Sequence, residues 1–209
     1  MDSLDELEPN LRVAVIVAHP DDETLWAGGL LLSHPHWSIF VASLCRGNDP
    51  DRSPRFFQAL ERLGARGAMG DLDDGPGQDP LDPGHVKATL LALMPERNYD
   101  LLLTHGPDGE YTWHRRHVET SQAVLQLWRE GELEAGTLWR FAYEDGGGAC
   151  YPRPREDAQV LLPLQVTDWA AKYALVTEVY GFLPTSWEAK AAPRTEAFQC
   201  SSSQEWQIP

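Results

Sequence analysis

No apolar run in this 209-residue chain approaches the roughly 20 residues of a membrane span, so no spanning helix is expected. Basic residues are scarce: 17 Lys and Arg stand against 32 Asp and Glu, a net charge of -15. Nucleic acid and anionic membranes both need compensating cations, so neither is an expected partner. Cysteine is scarce too. Cys45, Cys150 and Cys200 are odd in number and far apart, with no CxxC and no disulfide framework. A metal, if one binds, is therefore held by histidine and carboxylate, and Cys45, after an apolar run, is expected to be a small buried hydrophobe. The start, Met1-Asp2-Ser3-Leu4-Asp5-Glu6, is acidic where a signal peptide would be basic and then apolar, so a cytoplasmic protein is expected. The first strand is not followed by GxGxxG, against a nucleotide-binding module, and there is no internal repeat.

At 42% hydrophobic, the chain can build one good core, most simply as a single domain over 1–209. Residues 1–10 are expected as an extension and 199–209 as a flexible tail. Leu11 to Val17 is a β-branched strand buried on both faces, and Glu23 to Leu32 reads as a helix. Trp37 to Leu44 is a second strand, followed by the turn-rich Arg46 to Asp51. Arg52 to Leu63 follows as an amphipathic helix with Phe56, Phe57, Leu60 and Leu63 inward. A weak third strand closes in Gly70 to Pro76, an acidic loop without the ligand alternation of an EF-hand. Gly84 to Met94 is a helix, Asp100 to Thr104 a central strand and Val118 to Trp128 a helix. Thr137 to Glu144 is a fifth strand, and Val160 to Leu164 an edge strand that tolerates Pro163. Val166 to Tyr180 is the last helix expected. Such alternation predicts a Rossmann-like three-layer α/β/α sandwich around a mainly parallel sheet.

Polar residues cluster where strands hand over to helices, the ligand-binding edge of such sheets. Ala18-His19-Pro20-Asp21-Asp22-Glu23 follows the first strand, and His105 to His117 follows the fourth. Four polar groups beside a core are costly unless something pairs with them. A divalent metal would do so; a capping Asp with a solvent-facing His is the plain alternative. His19 and Asp22 lie three apart, as do His114 and His117. Together His19, Asp22 and His117 make a two-His, one-carboxylate set with room for water, which suits Zn²⁺ and also non-haem Fe(II). Asp21 would then be free as a base, and His114 could be a second proton-transfer group. His34 and His36, at a helix-to-strand turn, fall at the opposite end of the sheet and read as solvated.

AHPDDET, Gly28-Gly29 in the first helix, and later HGPDGEY with HxxH, resemble the LmbE-like, PIG-L-type zinc N-deacetylases over about the first 130 residues. That resemblance implies removal of an N-acetyl or similar acyl group from an N-acetylglucosamine-like sugar or conjugate, by attack of a zinc-bound water. His19, Asp22 and His117 would hold one Zn²⁺ per chain, or Fe²⁺ or another divalent ion. Asp21 would be the general base, and His114 would stabilise or protonate the intermediate and leaving amine. Tyr111 would help form the oxyanion site, and one of Arg52 and Arg55, with Asp74, would contact the sugar. An amidase acting on a thiol–sugar conjugate or antibiotic precursor, or a binding protein on the same scaffold, are the alternatives. The chain departs from the family's usual Gly-Tyr-Gly-His-Pro-x-His, because Thr112-Trp113 separates Tyr111 from His114 and Arg115-Arg116 fills the gap. Trp26 stands where glycine is common; it or Trp113 could pack, wall the pocket or stack on a sugar. The chain is short for the family, so a substrate lid is expected to be missing or supplied by a neighbouring subunit in a homo-oligomer.

Overall fold

The computed structural model describes residues 10–112 and 114–202. The expected extension (save Asn10), Trp113 and the tail beyond Ser202 lie outside the described residues. Strands β1 (Arg12–Val17), β2 (Ser38–Cys45), β3 (Arg66–Leu72), β4 (Asn98–Thr104) and β5 (Glu134–Phe141) alternate with helices α1 (Asp22–Ser33), α2 (Arg52–Leu63), α3 (Pro83–Leu93) and α4 (Arg115–Glu130). A two-stranded ribbon, β6 (Tyr143–Glu144) with β7 (Arg153–Pro154), precedes β8 (Val160–Pro163), α5 (Val166–Ala174), α6 (Trp187–Ala191) and β9 (Thr195–Ser202). The sheet runs β3-β2-β1-β4-β5-β9-β8, with β1 to β5 parallel and β9 antiparallel to both neighbours. This is a three-layer α/β/α sandwich. The order reverses between β1 and β4, so the loops leaving those strands face one another across a crevice.

Period-two alternation in β1 supplies both cores. Val13, Val15 and Val17 pack with Leu30 of α1, Phe56 and Leu60 of α2, and Leu175 and Val176 beyond α5. Ala14 and Ile16 pack with Val86 and Leu90 of α3 and Val124 and Leu127 of α4. A strand buried on both faces is apolar throughout, which is why the run is so easily read.

Several expectations fail. Phe57 faces solvent at 44% exposure, its place on the helix leaving the inward stripe to Phe56, Ala59, Leu60 and Leu63. The fifth strand breaks at Ala142, and Tyr143–Glu144 leaves the sheet to pair with Arg153–Pro154. The last helix is not one element: α5 ends at Ala174 and a π-helical turn spans Leu175–Val179. Gln199 to Ser202 is no tail but the end of β9, paired to Thr137–Arg140 of β5.

One buried cluster anchors α1 to this C-terminal part. Glu196, on β9, accepts the backbone N–H of Gly29 and of Leu30, each at 2.7 Å, and pairs with Lys172 of α5 at 2.7 Å. Gly28-Gly29 lets this face of α1 pack closely: a Cβ at Gly29 would sit 2.3 Å from Leu164, and one at Gly28 3.4 Å from Lys172. Tyr143 donates its hydroxyl to the Trp26 carbonyl and accepts from Ala197 N–H. Both charges of the pair are fully buried. Removing one partner of such a pair leaves an uncompensated buried charge. Lys172→Met should therefore cost about 3–5 kcal/mol in urea unfolding, and adding Glu196→Gln should recover part of it. A loss well under ~1 kcal/mol would contradict this role.

Candidate active site

The crevice holds a cleft of about 190 Å³ lined by His19, Pro20, Asp21, Asp22 and Leu25 after β1, Arg46 and Arg52 after β2, Asp74 after β3, Tyr111 and His114 after β4, and Trp187 and Glu188 of α6. Its floor is three ligand-type atoms. His19 Nδ1 lies 3.2 Å from Asp22 Oδ2 and 3.2 Å from His117 Nε2, and His117 Nε2 lies 3.4 Å from Asp22 Oδ2.

The proton positions around this triangle follow from its supports. Glu110, fully buried, accepts from His117 Nδ1 at 2.6 Å, from His105 Nδ1 at 2.9 Å and from Gly106 N–H at 2.9 Å. His117 Nδ1 thus carries a proton, and neutral His117 presents a lone pair at Nε2. His19 Nε2 meets Asp74 Oδ1 at 3.1 Å, and the tautomer protonated there leaves a lone pair on Nδ1. Asp22 Oδ2 is a third acceptor. Against the cost of burial, Asp22 and Asp74 raise the pKa of His19, and Asp22 and Glu110 that of His117, so the triangle attracts positive charge, either a proton or a cation held by the lone pairs of two neutral imidazoles. Ligands about 2.0–2.1 Å from a tetrahedral zinc would be about 3.3 Å apart. The triangle fits that ion. His105 also comes within 3.4 Å of Asp22, but its Nε2 already accepts the Ala18 N–H at 2.9 Å.

Charge is tuned accordingly. Against the cost of burial, His117 and His105 hold the Asp22 carboxyl well below its ordinary range. The same two histidines hold Glu110 at about 2, and His19 and Arg46 hold Asp74 at about 2. Burial, with Asp22 next to it, pushes Asp21 well above the ordinary carboxylate range. Burial, with His117 and His19 close by, pushes His114 down to about 3. His114 is thus a neutral imidazole, and its Nδ1 is buried with no partner among the described residues.

Asp21 stands at the N-cap position of α1, yet its side chain caps nothing. Its φ of 125° is a strained conformation for a residue with a Cβ. Glu23 holds it there by accepting the Asp21 N–H at 3.1 Å, and Glu23 is itself fixed by Tyr180 and Thr24 hydroxyls at 2.6 Å. Arg52 reaches Asp21 Oδ2 at 3.1 Å.

The other expected site residues are spread differently. Arg46 forms the close pair with Asp74, at 2.6 and 2.9 Å. Arg55 turns to Asp51 and the Val179 carbonyl, away from the lining residues. Tyr111 lines the cleft with its ring 5.7 Å from His114. Trp26 is fully buried, and its indole N–H donates to Asp22 Oδ1 at 3.2 Å, so it packs and steadies a carboxylate and walls no pocket. Trp113 lies outside the described residues. Arg116 is buried and bonds the Asp73 and Asp79 carbonyls, fastening the loop that carries Asp74. The cleft's C-terminal wall, α6, comes from this chain. Glu110, Tyr180 and α6 carried no local signal; Glu110, seven residues before His117, could be suspected only as a carboxylate near a histidine.

The profile of the family described as PIG-L, GlcNAc-PI de-N-acetylase, matches residues 14–128, more than half the chain. The chain belongs to this family. An uncharacterized protein, L374, of Acanthamoeba polyphaga mimivirus is 24% identical over 144 residues, covering 62% of this chain. The match spans 61% of that relative's length. The N,N'-diacetylchitobiose deacetylase of Pyrococcus horikoshii has a TM-score of 0.68 at 13% identity, covering 94% of this chain and 86% of the other. GalB, a 4-carboxy-2-hydroxymuconate hydratase of Pseudomonas putida KT2440, has a TM-score of 0.59 at 17% identity, covering 92% and 96%. A deacetylase and a hydratase thus share this architecture, and the fold alone does not fix a reaction.

The strain at Asp21 makes a prediction. A residue held in so sparsely populated a conformation costs about 1–3 kcal/mol, and burying a carboxylate adds to it. Asp21→Gly should therefore raise the thermal unfolding midpoint of the metal-free protein, although it removes the partner of Arg52. A lowered midpoint would contradict it.

Proposed function

We propose that the protein is a metal-dependent hydrolase that removes an N-acetyl or similar acyl group from an N-acetylglucosamine-like sugar or conjugate. The observation that carries this reading is the triangle of His19, Asp22 and His117 ligand atoms, 3.2 to 3.4 Å apart, beside a strained carboxylate, Asp21, that caps no helix. Family membership supports the same chemistry. His19, Asp22 and His117 would hold the ion, with Glu110 and Asp74 orienting the two imidazoles. A divalent ion there, zinc in the first instance, supplies a Lewis acid and lowers the pKa of water.

Asp21 takes the proton of the attacking water, its raised basicity and its link to Arg52 suiting a group that must accept and then release one. Neutral His114 donates one N–H to the oxygen that gains charge as the amide carbonyl becomes tetrahedral. Asp21, once protonated, is the acid in reach of the leaving amine. Tyr111, beside His114, closes the same side of the cleft.

The two neighbouring aspartates separate the steps. Asp21→Asn keeps the shape but cannot take the proton, and should lower the rate of acetate release from N-acetylated amino sugars by about 10²–10⁴ with the metal retained. Asp22→Ala should lose metal, with activity partly restored by excess zinc. Elemental analysis beside the rates checks both, and metal lost from Asp21→Asn while Asp22→Ala keeps it would reverse the two roles.

Glu110→Gln tests the supports. It should weaken metal binding about 10–100-fold without emptying the cleft of ligands, read by competition with a chelator. Unchanged affinity would remove Glu110 from the account.

A further inference from the structure

The segment that follows α5 lies outside the residues that match the family, yet it bears on Asp21 from two directions. The π-helical turn Leu175–Val179 is closed by backbone bonds from Tyr180 N–H to the Leu175 carbonyl at 2.9 Å and from Phe182 N–H to the Val176 carbonyl at 3.2 Å. Such turns are rare and frequently sit at functional positions. Tyr180, Gly181 and Phe182 come directly after it, and each meets a residue in the first turn of α1 or α2: Glu23, Arg55 and Arg52 in that order.

Tyr180 acts on the backbone of Asp21. Its side chain is buried, and its hydroxyl donates to Glu23 Oε1 at 2.6 Å. Burial, with Glu23 beside it, pushes that hydroxyl well above its ordinary range, so it stays a donor. With Oε1 taken by Tyr180 and Thr24, Glu23 Oε2 is the oxygen that accepts the Asp21 N–H. Phe182 acts on the carboxylate. The Arg52 guanidinium carbon sits 4.7 Å from the centre of its ring, a cation–π distance, and Arg52 Nη1 meets Asp21 Oδ2 at 3.1 Å. Between them Gly181 has a φ of 76°, and a Cβ there would run into the Arg55 guanidinium, which bonds the Val179 carbonyl at 3.0 Å. Glycine is thus what lets the segment bend so close to α2. Asp21 Oδ1 has no hydrogen bond or ion pair with a described residue and is the oxygen left to take a proton.

We propose that Tyr180 and Phe182 are positioning residues for Asp21. Tyr180 fixes its backbone N–H through Glu23, and Phe182 fixes its carboxylate through Arg52. Neither is among the residues lining the cleft, so each acts through another side chain and not on substrate. The role rests on the hydrolase reading, in which Asp21 takes the proton of the attacking water.

Tyr180→Phe removes one hydroxyl, and Phe182→Leu removes the ring face while keeping an apolar side chain. Either should lower kcat for acetate release from N-acetylated amino sugars by about 10–100-fold, with KM changed by less than about 2-fold and metal content unchanged. Phe182→Tyr, which keeps the ring, should recover most of the loss. In an Asp21→Asn background the same changes should cost less than about 2-fold, because the group they place no longer takes a proton. A merely structural role would carry its full penalty into that background. Equal penalties in both backgrounds overturn the proposal, as does a rise in KM at unchanged kcat. Hydrogen exchange at the Asp21 amide, followed by NMR on the same proteins, needs no substrate. Tyr180→Phe should speed it at least about 10-fold while the amides of β1 keep their protection; unchanged protection at Asp21 overturns the proposal. Lost protection in the variant, when the wild type cleaves no acetyl sugar, overturns the hydrolase reading and leaves the positioning of Asp21 standing.

Discussion

Two imidazole nitrogens and a carboxylate oxygen brought together in one triangle are the constraint on which the rest of the site depends. Separately, an imidazole nitrogen or a carboxylate oxygen is ordinary. At 3.2 to 3.4 Å from two others it is repelled unless a cation or a proton stands between. The chain does not leave that proton to chance. Glu110 and Asp74 occupy the far nitrogens of His117 and His19, so each imidazole is turned with its acceptor inward. Glu110 in turn is held by His105 and Gly106, and Asp74 by Arg46 and a loop fastened by Arg116. The outer carboxylates decide what the inner atoms can bind.

Structure well outside the cleft serves the same end. α1 delivers Asp22 and, just before it, Asp21. Its middle is gripped by Glu196 and Lys172, and its Trp26 carbonyl by Tyr143. Its first turn is fixed by Glu23 and Tyr180. The strained φ of Asp21 persists because these contacts over-determine it. Backbone strain held at a carboxylate that makes no cap is difficult to explain as stability and natural to explain as pre-organisation.

Much of the fold was legible because β1, β2 and β4 are largely apolar and the segments after β1 and β4 begin in polar clusters. The meeting of the two clusters across β1 and β4 followed from that alternation. What could not be read depends on contacts distant in sequence. Glu196 and Lys172 look like surface residues until β9 and α5 bury them together. Phe57 sits beside Phe56, and periodicity alone did not show which of two adjacent aromatics faces in. The π-helical turn at Leu175–Val179 continues the helical pattern of α5, so its break left no mark. Five residues of α6 are too few for a periodic signal, yet they bring Trp187 and Glu188 to the cleft. Arg46, tied to Asp74, lies in a turn-rich stretch that gave no local sign of that pairing.

Because a hydratase shares this architecture, the reaction must be argued from the site. The central claim is that the triangle is a cation site of nitrogen and oxygen ligands. Titration of metal-free protein with Co²⁺, followed by visible absorption, tests it most directly. The account predicts one ion per chain with the intense bands of a four- or five-coordinate nitrogen–oxygen site, lost in Asp22→Ala. Weak six-coordinate absorption that survives Asp22→Ala would contradict it.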